Sequence, residues 1–131
     1  MNAFLRSVAS VLEVDSVTLD TDFRQVPGWC SLQGFGLLVL MENDWATPLT
    51  VDAFLRLKTV RDLYREAFLT FAAGVFGVSR DSLSGETAYE SIPEWDSVNH
   101  LRLVMEAEKR FDSSYPIEVI PSLMRLDDFL R

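Results

Sequence analysis

A single gap aligns the first half of this 131-residue chain with the second. Ala3, Phe4, Leu5, Ala9, Val11, Val14 and Leu19 recur 64 positions later as Ala67, Phe68, Leu69, Ala73, Val75, Val78 and Leu83. Matched by residue type, two extra residues then enter the loop at 84–88, and the offset becomes 66. Pro27/Pro93, Trp29/Trp95, Ser31/Ser97, Leu37/Leu103, Glu42/Glu108, Leu57/Leu123, Asp62/Asp128 and Arg65/Arg131 all follow it. Self-similarity at a fixed period means one structural unit written twice. Two copies are too few for a solenoid, so the expectation is a duplicated globular unit, 1–66 and 67–131. Each would be marginal alone, because a chain near 60 residues buries only about 60% of its unfolded surface.

The apolar positions recur at helical spacing. Phe4, Leu5, Val8 and Leu12 predict a first helix over 3–13, ended by Val14 and Asp15. A polar loop and the Pro27-Gly28 turn lead to a second helix from Ser31 to about Trp45. Val51, Phe54 and Leu57 suggest a short helical segment, and Thr59 is a plausible N-cap for the next. Between the copies no linker is evident. Val60, Leu63, Tyr64, Ala67, Phe68, Phe71, Ala72 and Val75 form one apolar stripe. That stripe predicts a continuous helix around residues 60–76 joining the units. Alternation long enough for a sheet is absent, so the expected fold is all-α, as two small helical bundles.

The formal charge of −8 comes from both halves. Residues 1–66 hold 6 basic and 9 acidic side chains, and residues 67–131 hold 6 and 11. Nucleic acid, which needs a basic face, is therefore excluded as a partner, while proteins with basic docking surfaces are favoured. Cys30 is the sole cysteine, so a disulfide within the chain is impossible and no metal cluster is expected. The start lacks a basic-then-apolar signal peptide, and the longest apolar run, 37–41, is too short for a membrane span. The cytoplasm is the expected compartment.

The strongest chemical signal is Pro93-Glu94-Trp95-Asp96-Ser97-Val98, followed by Leu101, Leu103-Val104-Met105, Glu108 and Phe111. This pattern resembles the acyl carrier protein family, whose phosphopantetheine-binding domains serve fatty-acid, polyketide and nonribosomal-peptide synthesis. The family motif is Asp-Ser-Leu before a helix like Leu-Val-Met-x-Leu-Glu-x-x-Phe; here Val98 replaces the leucine after the serine. Val75-Phe76-Gly77-Val78 and Leu83 resemble the family's first-helix ending and loop anchor. Ile117, Ile120, Leu126 and Asp127-Asp128-Phe129 resemble its third and fourth helices. The likeness covers the whole second unit and implies two acyl-carrier-like four-helix bundles in tandem.

The resemblance implies that Ser97 is a substrate, not a catalyst, since no base activates its hydroxyl. A phosphopantetheinyl transferase would move the 4'-phosphopantetheine arm from coenzyme A onto Ser97. The arm's thiol would then carry an acyl or aminoacyl group as a thioester. Asp96 would orient the loop and contact the transferase. Val98, Arg102, Met105 and Glu106 would dock loading ligases or ketosynthase-type enzymes. Serine at a helix start commonly serves as a cap instead, and both roles can coexist. His100, the sole histidine, reads as an exposed helix residue that partners contact. A hydrolase would need a Ser97/His100 pair, which i, i+3 spacing permits.

The first unit departs from the pattern. Ser31 stands at the attachment position, a doubtful second site because Cys30 replaces the acidic residue. Three residues read as outward-facing, His100, Arg102 and Glu106, are matched by Gly34, Gly36 and Leu40. This apolar helix around Leu40 is expected to pack on the second unit, an enzyme or another copy of the chain. A non-modified scaffold that binds synthase components through it is the alternative function.

Overall fold

The computed structural model describes residues 1–130, and among these it contains helices and turns but no strand. The α-helices are α1 (Asn2–Leu12), α2 (Ser31–Asn43), α3 (Val51–Leu55), α4 (Val60–Phe76) and α5 (Ser97–Phe111). Short 3-10 turns occupy Phe23–Gln25, Arg80–Ser82, Ile120–Ser122 and Leu126–Leu130. The chain divides into two compact units, Asn2–Ala67 and the residues from Phe68 onward, the latter joined by Met1. No described helix is long and apolar enough to cross a membrane.

Local chemistry explains the helix ends. Thr50 caps α3, its Oγ1 accepting from the Ala53 amide at 3.1 Å. Thr59 and Asp62 form a reciprocal cap at the start of α4: Thr59 Oγ1 accepts from the Asp62 amide at 3.3 Å. Asp62 Oδ2 in turn accepts from the amides of Lys58 and Thr59 at 2.9 and 3.0 Å. α4 covers the predicted junction without a break. It stops at Gly77, whose φ of +72° suits glycine, while the amide of Val78 returns to the carbonyl of Ala73 at 3.0 Å. α1 ends in the same way with Glu13 at φ +56°, the amide of Val14 reaching Ala9 at 3.1 Å.

The first unit's core gathers Phe4, Leu12, Phe23, Leu37, Met41, Leu63 and Tyr64, all out of contact with solvent. The ring of Phe4 lies 5.1 Å from Trp45. At the matched positions of the second unit, Phe68 lies 5.8 Å from Phe111, and Phe129 adds a ring 5.2 Å from Phe68. Ring pairs at these distances contribute beyond simple burial.

The repeat is also written in the backbone. The amide of Val60 bonds the carbonyl of Thr21, and that of Leu126 bonds Thr87. The Arg61 amide reaches Leu19 where the Asp127 amide reaches Gly85. Isolated antiparallel bridges join Asp22 to Thr59 and Ala88 to Arg125. Both units carry a left-handed residue after the second long helix, Ala46 at φ +52° and Asp112 at +53°.

These bonds relocate the insertion. The Thr18 amide bonds Thr21 Oγ1 at 3.0 Å, and the Ser84 amide bonds Thr87 Oγ1 at 2.9 Å, so the offset is already 66 at Ser84. The two extra residues therefore lie in 79–83, opposite 15–17, and not in 84–88. The three-residue turn Arg80–Ser82 lies in that stretch. Leu83 then matches Val17, both buried, and Leu19 matches Gly85. Matching by residue type had paired two leucines that the fold does not superpose.

The second unit also lacks an α-helical third segment. Where α3 stands in the first unit, residues 117–121 include only the start of the 3-10 turn Ile120–Ser122. Pro121 has no amide hydrogen to bond back to residue 117, and Pro116 precedes the segment. In addition, Arg24 closes the end of α3 by donating to the carbonyls of Phe54 (3.1 Å) and Leu57. Glu90, its counterpart, has no such donor.

Candidate functional site

The serine-bearing turn of the second unit is built from three side chains with distinct tasks. Asp96 is the N-cap of α5: its Oδ1 accepts from the amide of Asn99 at 2.9 Å. Ser97 is the first residue of the helix and is exposed. Because Asp96 does the capping, the Ser97 hydroxyl is left without a hydrogen-bond partner among the described residues. Asn99 Nδ2 donates to the carbonyl of Glu94 at 2.7 Å and closes the turn from its outer side.

Beneath the turn, Trp95 is fully buried against Phe76 and Tyr89. Its indole Nε1 donates to His100 Nδ1 at 3.0 Å. With Nδ1 accepting, the ring proton sits on Nε2, which donates to the carbonyl of Ile120 at 3.0 Å. His100 is only 9% exposed, which corrects the expectation of an exposed, partner-facing residue. Its polar atoms allow burial because both find partners. Ser97 and His100 are not brought together as a hydrogen-bonded pair, since both ring nitrogens are engaged elsewhere.

The first unit builds the same turn differently. Ser31 again opens its helix and is exposed, but Cys30 is the N-cap. The carbonyl of the Gln33 side chain folds back over it, accepting from the Cys30 amide at 3.0 Å and from Sγ at 2.7 Å. Trp29 faces Gly34 in place of a histidine: a β-carbon there would lie 3.5 Å from the Trp29 ring and 3.8 Å from Phe54. Trp29 is partly exposed and rests 5.8 Å from Phe23. The Phe54 carbonyl, which matches that of Ile120, is held by Arg24 at 3.1 Å. One carbonyl position thus has two solutions, an arginine in one copy and histidine in the other.

The chain matches no protein-family model, no curated protein and no solved structure.

Past Ser97, α5 shows solvent an apolar stripe, Val98 (71% exposed), Leu101 and Met105, beside exposed Arg102 and Glu106. This is i, i+3, i+7 spacing, one face of a helix. In the first unit the stripe recurs as Leu32, Phe35 and Val39. Leu40, by contrast, is 8% exposed and cannot present its side chain to a partner. The expectation that the helix docks through Leu40 is corrected: that residue belongs to the inward face, and the outward face lies one position earlier. An open groove of about 310 Å³ runs beside it, lined by Val11, Leu32, Phe35, Gly36 and Val39.

Sequence reasoning did not assign Leu101, Leu32, Phe35 and Val39 to a surface, nor His100 to the interior. The matched pair Gly34/His100 carried a usable signal. Both follow a tryptophan by five residues, and each is set to meet that tryptophan across the turn. Among the described residues no group of three His, Cys, Asp or Glu side chains could hold a metal ion.

Proposed function

We propose that this chain is a carrier protein of the acyl carrier type, two acyl-carrier-like units in tandem, modified at Ser97 by 4'-phosphopantetheine. The supporting observation is the division of labour at the start of α5. Asp96 satisfies the cap, so the exposed Ser97 hydroxyl has no structural task and is open to a transferase. The amides of Ser97 and Val98 likewise have no acceptor among the described residues, and amides at a helix start favour a phosphate attached there. When bound, the arm supplies a thiol that holds an acyl or aminoacyl group as a thioester. The chain itself presents Ser97 through α5, keeps the turn rigid through Trp95 and His100, and offers Val98, Met105, Arg102 and Glu106 to loading enzymes beside the site. Ser31 shares the exposed helix-start position but lacks the carboxylate, so Ser97 is the primary site.

A second reading, an adaptor that keeps this fold without the arm, draws on the exposed Leu32, Phe35 and Val39 and their groove. Intact-mass measurement after incubating the chain with coenzyme A and a phosphopantetheinyl transferase separates the two. One added arm is expected. No addition would overturn the carrier reading in favour of the adaptor, and two would make Ser31 a working site.

A further inference from the structure

The Trp95–His100–Ile120 chain of hydrogen bonds links three parts of the second unit: the turn before Ser97, the first turn of α5, and the 3-10 turn Ile120–Ser122. Its middle member is the only side chain type whose ordinary titration falls between about pH 5 and 8. The neutral ring is the form that fits: Nδ1 must accept and Nε2 must donate. A proton added to Nδ1 would face the Trp95 N–H, two donors against each other, while the bond to Ile120 survives.

The surroundings offer the charged ring little compensation. Tyr89 from the preceding loop lies 5.2 Å away, ring to ring. Phe129 closes another side at 6.2 Å, and the group from the 120–122 turn is a backbone carbonyl. On its own helix, the carboxylate one turn earlier, Asp96, is engaged with the Asn99 amide. Arg102, two residues on, is exposed and donates to the Val75 carbonyl at 3.5 Å. Among the described residues no carboxylate or cation pairs with His100.

We propose that His100 is a protonation-sensitive latch on the serine-bearing turn. Neutral, it ties Trp95 to the 120–122 backbone and positions the segment 95–99. Charged, it releases the Trp95 indole and loosens that segment. The first unit is the built-in contrast, because an arginine, Arg24, holds the matching carbonyl and Gly34 offers Trp29 no side chain to titrate. The sign follows from the bond pattern: the latch is present above the pH at which His100 takes its proton and is lost as pH falls through it. The latch concerns the unmodified chain and stands or falls independently of the arm.

The test is a nuclear magnetic resonance titration of the unmodified full chain from pH 8 to pH 5. His100 is the only histidine, so its ring signals are assigned by elimination, and Trp29 and Trp45 are internal controls. The Trp95 indole proton and the amides of Ser97 and Asn99 are expected to shift with the same midpoint as the His100 ring. The Trp29 indole stays in place. In His100→Gln, which cannot titrate, the coupled shift disappears. A stationary Trp95 indole while His100 titrates, or a His100 that takes no proton across the range, would overturn the proposal. The wild-type titration decides alone if the variant does not fold.

Discussion

The indole N–H of Trp95 and the Nδ1 of His100 meet 3.0 Å apart in the interior, their ring planes inclined by only 27°. Leaving either polar atom unmet at this depth is costly. Replacing Trp95 by Phe keeps most of the ring packing but strips His100 Nδ1 of its donor. A loss of about 1–3 kcal/mol is expected, the cost of leaving a buried acceptor unsatisfied. Trp29→Phe, at a partly exposed site with no such partner, should shift the urea midpoint less.

The Ser97 side chain contributes no hydrogen bond among the described residues, so its removal should be silent structurally and complete chemically. Ser97→Ala is expected to change stability by less than about 0.5 kcal/mol, as for a surface change away from special features. The same variant should lose all mass addition by a phosphopantetheinyl transferase. Ser31→Ala should retain it.

The two helix starts differ by one carboxylate. Asp96→Ala removes the cap of α5 and should cost about 1 kcal/mol in thermal or urea unfolding. Cys30→Asp would place an ionised acceptor at the positive end of α2 and should raise stability by about 0.5–1 kcal/mol. Combined with intact-mass measurement, Cys30→Asp also shows whether a carboxylate at that position opens Ser31 to modification.

Asp62 gives the fold a defined acid sensitivity. Burial alone would raise its pKa, but the amides of Thr59 and Lys58, the Arg65 guanidinium and the Thr59 hydroxyl together hold it below the ordinary aspartate value. The ionised form is therefore the one the folded state favours. Its contribution is present above the unfolded aspartate value near about 4 and is lost as pH falls through the lower folded value. Asp62→Asn should be less stable than the wild type at neutral pH. The difference should shrink on acidification, as measured by unfolding midpoints across the range.

Glycines at three sites should answer differently to alanine. Gly74 sits inside α4 with open space around it, so Gly74→Ala should stabilise by about 0.5–1 kcal/mol through helix propensity. At Gly36 the new carbon would lie 2.9 Å from a Val11 methyl, and the gain should vanish or reverse. Gly85→Ala would put it 2.2 Å from Asp127 Oδ1, so that carboxylate must move, and a loss is expected. Thermal unfolding of the three variants provides the ranking.

Much of this architecture was legible in the chain itself. Periodic apolar residues and short-range caps decide helices locally, which is why α2 and α5 begin on Ser31 and Ser97 and α4 begins at Val60, just after the cap Thr59. The third segment was harder to read. Ile117 and Ile120 have helix-like spacing, but Pro121 removes an amide an α-helix would use, Pro116 stands where Thr50 caps α3, and the end cap supplied by Arg24 comes from thirty residues away in the first copy.

By itself, the sequence determined that the chain is helical and internally repeated, with Cys30-Ser31 and Asp96-Ser97 at matched positions. Only the tertiary structure decided where the insertion falls, because the bonds from the Thr18 amide to Thr21 Oγ1 and from the Ser84 amide to Thr87 Oγ1 set the register. It alone turned Leu40 inward, leaving Leu32, Phe35 and Val39 outside, since one residue of helix rotates a side chain by about 100°. It alone made His100 an interior residue as well. A histidine's place depends on whether both nitrogens find partners, and here those partners stand five residues before it and twenty after.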